Sequence, residues 1–273
     1  MKIYKDFDFS KISYIRIGHT GKLIVAENMD DLSQIKMMEE TKILGNCSKV
    51  LFSKKRYKKN FYKLGGDFLK IEKLNDETIM VGAGVKFTTF INFMINENLT
   101  GFEELVGIPG TIGGMIKMNA GAFGKNISNN LVSLETLDGK KDKSEIYFSY
   151  RETNIESVIT FATFRFVKGK KSRIMKNIEK FIKLRKRNQP QDAKTLGSTF
   201  KNPTSYQPAW KLIDDVGLRG FCVNDICVST KHTNFIINRG KGSGTDFLKL
   251  VSIIKKKVYE EKKIELELEV EIL

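Results

Sequence analysis

The stretch Gly107-Ile108-Pro109-Gly110-Thr111-Ile112-Gly113-Gly114, followed by Met118-Asn119-Ala120-Gly121-Ala122-Phe123-Gly124, carries most of the information about the fold of this chain. Its glycines let the backbone approach a ligand closely and direct N–H groups toward phosphate oxygens. The stretch lacks the Gly-Lys-Ser/Thr of a Walker loop and the Gly-x-Gly-x-x-Gly spacing of a dinucleotide-binding turn. By itself it indicates tight backbone packing and phosphate binding equally well.

The 273 residues are 41% hydrophobic and 10% aromatic, which is typical of a globular protein of one to three domains. No segment approaches the about 20 apolar residues of a membrane-spanning helix, and the N-terminus has no apolar signal segment. We therefore expect a cytoplasmic protein without membrane insertion. Cys47, Cys222 and Cys227 are too few for a disulfide framework and lack zinc-like spacing, so we expect reduced cysteines and no metal.

The formal net charge is +15, and the excess is concentrated in two segments. Residues 49–63 contain seven Lys or Arg and no acid, and residues 168–190 contain ten against one acid. Such clusters attract polyanions, although a solvated lysine-rich surface has the same composition. Basic and aromatic residues also alternate in Arg56-Tyr57-Lys58-Lys59-Asn60-Phe61-Tyr62, a pattern found in proteins that bind single-stranded nucleic acid.

Hydrophobic periodicity predicts a mixture of strands and helices. Apolar and β-branched runs predict strands at 12–17, 22–26, 77–83 and 158–166. Apolar residues at helical spacing predict helices from a cap at Asp30, at 87–96, between 171 and Pro190, and at 245–260. Residues 264–273 alternate strictly between apolar residues and glutamates, which predicts a half-buried strand with a solvated carboxylate face. The mixture indicates an α+β fold with a boundary near 168–171.

Two further motifs are weak when each is considered separately. Gly197-Ser198-Thr199-Phe200-Lys201-Asn202-Pro203 places a serine in a turn but lacks the Gly-x-Ser-x-Gly of a hydrolase nucleophile. Arg151 follows Tyr150, and a lone arginine of this kind usually forms a surface contact or a salt bridge.

Together and in this order, the motifs resemble those of the UDP-N-acetylenolpyruvoylglucosamine reductase (MurB) family, flavoenzymes of peptidoglycan precursor synthesis. The resemblance covers nearly the whole chain and is clear from Gly101 onward. Besides 107–122, Tyr150-Arg151 and 197–203, it rests on Gly217-Leu218-Arg219-Gly220, Lys231-His232-Thr233-Asn234-Phe235-Ile236-Ile237-Asn238 and Leu266-Glu267-Leu268-Glu269-Val270. Only 47 positions separate Arg151 from Ser198, so the chain resembles the short class, which lacks an extra substrate-covering segment.

The resemblance implies an α+β fold: a two-part FAD-binding region of the vanillyl-alcohol-oxidase-like type, followed by a C-terminal α+β domain that binds substrate. The implied domains are 1–63, 64–168 and 169–273. The residues implied to hold FAD lie in two glycine-containing regions: Gly45, Asn46, Cys47 and Ser48, then Gly107, Ile108, Pro109, Gly110, Thr111, Gly113, Gly114, Asn119, Ala120 and Gly121.

The implied reaction is the NADPH-dependent reduction of an enolpyruvyl ether to a lactyl ether, which gives UDP-N-acetylmuramate with a hydride from FADH2 and a proton from a serine. Arg151 would stabilise the charge that spreads into the substrate carboxylate, and Ser198 would be the general acid. Glu269 would assist, and only its place in the Leu-Glu-x-Glu-Val motif selects it among the glutamates. A bare carboxylate beside developing negative charge is unfavourable, so we expect Glu269 to be protonated or strongly hydrogen-bonded.

For substrate binding, the resemblance implies Asn202 and Lys201, and the basic run that contains Arg187 is a candidate to hold the substrate diphosphate. The expected partners are a UDP-sugar and NADPH, without nucleic acid, and the expected state is a monomer. The chain departs from the family pattern at His19, Cys47, Lys49, Trp210 and Asn224-Asp225.

Two alternative functions remain open at this level. A basic protein that binds single-stranded nucleic acid would account for the charge but not for the glycine-rich stretch. A related FAD-dependent oxidoreductase with another substrate would account for that stretch but not for the motifs around Ser198, Asn202 and Glu269.

Overall fold

The computed structural model of the chain describes residues 1–204 and 206–273. These residues form two compact units, each assembled from separate segments of the chain. The first unit contains Met1–Asp6, Lys22–Asn46 and Lys58–Leu184, and the second contains Phe7–Gly21, Cys47–Tyr57 and Arg185–Leu273. The boundaries expected at 1–63, 64–168 and 169–273 stay a prediction.

Helices and strands are interspersed along the described residues. The α-helices are α1 (Met29–Lys36), α2 (Phe87–Asn96), α3 (Ile112–Lys117), α4 (Lys171–Asn188), α5 (Ala209–Asp215) and α6 (Gly244–Lys262). The strands are β1 (Lys2–Asp8), β2 (Thr20–Ala26), β3 (Thr41–Ile43), β4 (Val50–Leu51), β5 (Asn60–Leu64), β6 (Ile71–Lys73), β7 (Thr78–Gly82), β8 (Leu99–Thr100), β9 (Gly121–Ala122), β10 (Lys125–Asn126), β11 (Leu131–Thr136), β12 (Gly139–Asp142), β13 (Phe148–Ser149), β14 (Glu152–Thr153), β15 (Ile159–Arg165), β16 (Val167–Lys168), β17 (Lys194–Ser198), β18 (Cys222–Val223), β19 (Ile226–Val228), β20 (Phe235–Asn238) and β21 (Glu271–Ile272).

Segments with a long and regular apolar pattern fold as predicted. Helix α2 has the predicted bounds, and β2, β7, β15, α4 and α6 lie close to theirs. Helix α1 begins two residues earlier than expected, because Asn28 rather than Asp30 is its cap. The Asn28 side chain accepts a hydrogen bond from Asp31 N at 2.9 Å, which satisfies a backbone donor of the first helical turn.

In the first unit, a sheet of order β1-β2-β5-β3 accompanies an antiparallel sheet of order β12-β11-β15-β7-β6. Helix α2 contributes its buried face to the core beside β15. Phenylalanines dominate this core: the ring centroids of Phe102 lie 5.5 Å from Phe164 and 5.1 Å from Phe166, both edge to face. Edge-to-face contacts of this kind are favourable for aromatic rings.

In the second unit, the antiparallel sheet β17-β20-β19-β18 shares one core with α5 and α6. Phe200, Phe247, Leu250 and Ile254 are fully or almost fully buried there. Strand β4 pairs in parallel with β21, so that Val50 lies opposite Glu271. This pairing attaches the short segment 47–57 to the C-terminus of the same unit.

The strand expected at 12–17 is wrong. A short 3₁₀ turn at Phe9–Lys11 precedes it, and the following residues form no strand. Ile15 and Ile17 are buried by side-chain packing alone, and Ile15 O accepts a hydrogen bond from Asn238 Nδ2 at 3.1 Å. A β-branched run therefore identified the buried residues correctly but not their backbone conformation.

The continuous strand expected at 264–273 is also wrong. Leu268 forms an isolated bridge with Phe200, the backbone bends at Glu269 and Val270, and only β21 pairs as a strand. The bend interrupts the alternation, so that Glu269 is buried with 8% of its surface exposed while Glu267 and Glu271 are exposed. One glutamate is thus turned inward from a face that the pattern predicted to be solvated.

Cys222 and Cys227 lie directly opposite each other in the hairpin of β18 and β19, and their sulfurs form a disulfide. Val228 N donates to Phe221 O in the adjacent pair, so the cysteines occupy a non-hydrogen-bonded position, where opposite Cα atoms approach closely. Their Cα atoms are 4.0 Å apart. The expectation of reduced cysteines is wrong for this pair, because strand pairing brings the two residues together. Cys47 is buried and outside this bond.

Alkylation counts the thiols directly. Denatured without reductant, the protein is expected to take one label, on Cys47, and after reduction three. The intact mass after iodoacetamide treatment measures this number. A Cys222→Ser variant is the control and should take two labels without reductant, because Cys227 is released; three labels on the unreduced wild type would contradict the disulfide.

Candidate active site

The first half of the glycine-rich stretch forms the turn that begins helix α3. Thr111 is the cap, and its Oγ1 accepts a hydrogen bond from Gly114 N at 3.3 Å. Gly113 packs against the chain after β7: its N–H donates to Ala83 O at 2.9 Å, and a Cβ on Gly113 would lie 3.0 Å from Ala83 Cβ. Gly113 is therefore required for close packing of the turn on the sheet.

A second turn, at Gly45, meets the turn of α3. A Cβ on Gly45 would lie 3.0 Å from Thr111 Oγ1 and 3.7 Å from Gly114 Cα. The two backbones thus face each other across a gap that a side chain would fill. Glycine-lined backbone of this kind can present N–H groups to a diphosphate, so Gly45, Thr111 and Gly114 fit the implied FAD.

The second half of the stretch is joined to the turn that contains Arg151. Asn119 Nδ2 donates to Ser149 O at 2.8 Å, and Asn119 Oδ1 accepts from Ser128 Oγ at 2.8 Å. Arg151 Nη2 donates to Gly121 O at 3.1 Å. These bonds place the guanidinium group beside the predicted cofactor loop, although 30 positions separate Arg151 from Gly121.

Both Asn119 and Arg151 have left-handed backbone conformations, with φ of 37° and 60°. Such conformations are unfavourable for residues with a Cβ, and asparagine tolerates them better than most. Asn119 has 5% of its surface exposed. Its amide group, expected to contact the cofactor, holds the loop and the Arg151 turn together.

In the second unit, Ser198 and Glu269 lie on either side of Lys49. Lys49 Nζ donates to Ser198 O at 2.6 Å and forms an ion pair with Glu269 Oε1 at 2.8 Å. Glu269 N donates to Thr199 O at 2.8 Å. The two predicted catalytic residues of this unit, 71 positions apart in the sequence, are thereby brought together.

Lys49 is the residue of this cluster that sequence reasoning missed. In the sequence, Lys49 is one of the positions that depart from the family pattern. The available signal was a charged residue directly before the apolar Val50-Leu51-Phe52. A lysine beside a buried strand needs an acceptor, but the sequence does not say which one.

The remaining predicted residues are placed individually. Asn202 Oδ1 accepts a hydrogen bond from Ala209 N at 3.0 Å, at the beginning of α5, and Lys201 Nζ pairs with Glu267 Oε1 at 2.6 Å. Arg187 is exposed in the last turn of α4, whereas Arg185 is buried there, and burial lowers its pKa. The basic run therefore directs one arginine inward and the other to solvent.

Two departures from the family pattern keep the backbone conformation that favours glycine. Cys47 has φ of 54° and Asn224 has φ of 50°. A left-handed residue with a Cβ costs about 1–2 kcal/mol, less for asparagine. Asn224 Nδ2 also donates to Asp246 Oδ1 at 2.8 Å.

Among residues 1–204 and 206–273 there is no cluster of three or more histidine, cysteine or acidic side chains that would hold a metal ion. No helix in the same residues has the length and apolar character needed to cross a membrane.

Two family models match the chain. One, described as "FAD binding domain", matches residues 44–141, which include both glycine turns. The other, "UDP-N-acetylenolpyruvoylglucosamine reductase, C-terminal domain", matches residues 189–273, which include Ser198, Asn202 and Glu269. Arg151 and Arg187 lie outside both matches. An FAD-binding region followed by a reductase domain defines a flavoprotein oxidoreductase and confirms the expected order of the α+β fold.

Relatives along the whole chain define the family more narrowly. A UDP-N-acetylenolpyruvoylglucosamine reductase of Fusobacterium nucleatum is 33% identical over 285 residues, with 100% of both chains covered. One of Pelagibacter ubique is 34% identical, covering 100% of this chain and 95% of the relative. The crystal structure of the reductase (MurB) from Thermus caldophilus superposes with a TM-score of 0.89 at 29% identity, covering 100% and 99% of the two chains. The chain belongs to the UDP-N-acetylenolpyruvoylglucosamine reductase family.

Replacing Asn119 tests its role in joining the loop to the Arg151 turn. Asn119→Ala removes two hydrogen bonds of a buried amide and should lower the free energy of unfolding by about 1–3 kcal/mol. Asn92→Ala, on the exposed face of α2, is the control and should change it by less than about 0.5 kcal/mol. Denaturant unfolding measures both. Equal effects of the two substitutions would contradict the role of Asn119.

Proposed function

We propose that the chain reduces the enolpyruvyl ether of UDP-N-acetylglucosamine to UDP-N-acetylmuramate, a step in peptidoglycan precursor synthesis. NADPH supplies the hydride and solvent supplies a proton through the protein, so that the carbon–carbon double bond becomes a single bond and NADPH becomes NADP⁺. The observation that carries the proposal is the cluster of Ser198 and Glu269 around Lys49. Ser198 and Glu269 lie in the part of the chain that matches the reductase domain, and Lys49 lies in the part that matches the FAD-binding domain.

FAD, held at the turns of Gly45 and of Thr111 to Gly114, would supply the two-electron chemistry that passes the hydride from NADPH to substrate. The protein contributes orientation and charge. Gly107 has φ of 85°, a value suited to glycine, and begins the loop that leads into the turn of α3.

Arg151 stabilises the negative charge that develops on the carbon bearing the substrate carboxylate and spreads into that carboxylate. A preorganised cation is effective because it needs no reorientation during the reaction. The hydrogen bond from Arg151 Nη2 to Gly121 O, together with the bonds of Asn119, supports this role because it limits the movement of the guanidinium group.

Ser198 donates the proton to the α-carbon. A serine hydroxyl is a weak acid, so it acts in this role only toward a strongly basic carbanion-like centre and from a fixed position. Its position at the end of β17, beside a register shift in the pairing with β20, supports this assignment. Gly197, with φ of 73°, allows the backbone to turn directly before the serine.

Asn202, Lys201 and the basic end of α4 with Arg187 bind the substrate, whose diphosphate needs cationic partners.

We place the reaction in the cytoplasm, where UDP-sugars and NADPH are found. The active protein is a monomer with the domains 1–63, 64–168 and 169–273.

The visible absorption spectrum tests the proposal first. Purified protein reconstituted with FAD should show a flavin spectrum that NADPH bleaches, and the UDP-N-acetylglucosamine enolpyruvate should restore it. Bleaching without restoration by this substrate, together with turnover of a simple hydroxy acid, would favour a different oxidoreductase. A protein that does not retain FAD but binds arbitrary single-stranded DNA would contradict the proposal altogether.

Ser198→Ala should leave the reduction of the bound flavin by NADPH unchanged and slow its reoxidation by substrate about 10²- to 10⁴-fold, the usual contribution of a general acid. Stopped-flow absorbance measures the two half-reactions separately. Ser252→Ala is the control, because that hydroxyl donates to Leu248 O on α6 and is exposed. Equal slowing of both half-reactions by Ser198→Ala would show that the serine is not the proton donor.

A further inference from the structure

A buried carboxylate near a developing negative charge needs a compensating cation. The side chain of Glu269 has 5% of its surface exposed. An ionised group at such a position is costly unless it is paired, and it repels an anionic intermediate. From the sequence we expect Glu269 to be protonated or strongly hydrogen-bonded. In the structure its carboxylate forms an ion pair with Lys49, a residue to which the sequence analysis assigned no role in the site.

The Lys49 ammonium group connects the segments of Ser198 and Glu269. It lies 2.8 Å from Glu269 Oε1 and 2.6 Å from Ser198 O, and the Lys49 side chain has 28% of its surface exposed. The same ammonium group therefore contacts both the segment that carries the proposed general acid and the proposed carboxylate. The Lys49 ammonium group thereby joins the Glu269 carboxylate to the Ser198 backbone.

Backbone contacts hold this bridge at both ends. Lys49 O accepts a hydrogen bond from Glu271 N at 2.9 Å, and β4 pairs with β21 directly after it. Glu269 N donates to Thr199 O at 2.8 Å. The bend that turns Glu269 inward is therefore fixed by backbone hydrogen bonds on each side. The Glu269 carboxylate contacts Lys49, which directly precedes the strand β4 that pairs with β21.

We propose that Lys49 is a positioning residue for the reduction of substrate. It neutralises the charge of Glu269 and holds the backbone of Ser198. The substrate, on which negative charge develops, then faces a Lys49–Glu269 pair without net charge instead of a bare carboxylate. This inference rests on the proposed function. Lys49 follows the turn Gly45 to Ser48 immediately, so the competing assignment is a contact with the FAD diphosphate.

Three variants separate these assignments in the FAD-saturated protein: Lys49→Met, Glu269→Gln and the double variant. Lys49→Met should slow reoxidation by substrate about 10- to 100-fold, the effect of removing a hydrogen bond to a charged group, with flavin reduction by NADPH and the Kd for FAD unchanged. Kcat should fall more than KM rises. Lys49→Arg, which keeps the charge, should recover a large part of the rate.

The double variant is the decisive comparison, because Glu269→Gln removes the charge that Lys49 balances. In the Glu269→Gln background, Lys49→Met should cost less than about threefold. If the double variant slowed flavin reoxidation by the product of the two single-variant factors, the proposal would be overturned. A loss of FAD affinity in Lys49→Met would also overturn it and would assign the lysine to cofactor binding. Lys211→Met, which breaks the exposed pair with Asp215 on α5, is the matched control and should behave as wild type.

Thermal unfolding of the same four proteins gives a readout that does not depend on turnover. Lys49→Met should lower Tm, and the loss should be smaller in the Glu269→Gln background, because the buried carboxylate is then no longer charged. Coupling in Tm without turnover by the wild type would refute the proposed function and, with it, the positioning role of Lys49 in the reaction, while confirming the ion pair. Turnover by the wild type with additive effects on rate and Tm would refute the Lys49 proposal alone.

Discussion

The ion pair of Lys49 and Glu269 connects three segments that are distant in the sequence. Glu269 reaches the interior because the backbone bends after Leu268, and the bend is held by bonds to the segment of Ser198 on one side and to the strand of Lys49 on the other. A buried carboxylate without its cation is strongly destabilising, so the approach of these segments depends on the pair. Within the second unit, the proposed proton donor has its position because of this constraint.

The first unit depends on a different constraint, the close approach of backbones that glycine permits. The turns of Gly45 and of Thr111 to Gly114 face each other across a gap so narrow that a Cβ on Gly45 would lie 3.0 Å from Thr111 Oγ1, and Gly113 lies directly against Ala83. The same loop continues to Gly121, whose carbonyl receives the Arg151 guanidinium group. The predicted cofactor loop and the Arg151 cation are therefore parts of one hydrogen-bonded structure, which helps asparagine and arginine to keep left-handed backbone conformations there.

Elements with a long and one-sided apolar pattern could be predicted from the sequence. The periodicity of α2, α4 and α6 selects one helical face for the core, and this local preference agrees with the tertiary packing. The segment 12–17 shows where such prediction fails, because Ile15 and Ile17 are buried in the core although their backbone joins no sheet. The cysteine pair shows another limit: a separation of five residues becomes a disulfide only when a hairpin places both residues at opposite positions.

The order of short motifs along the chain was by itself enough to identify the family, because six motifs that are weak one by one match the family pattern in sequence. The cofactor and the candidates Arg151, Ser198 and Glu269 followed from that resemblance. Strict alternation could not distinguish Glu269 from its three neighbours, since local periodicity assigns all four glutamates to one face. Only the tertiary structure decided that the chain bends at Glu269, and that Lys49 lies at its carboxylate. The physical reason is that the charge of a buried group is balanced by whatever residue the fold brings within a few ångströms, and the sequence separation of the two residues carries no information about that distance.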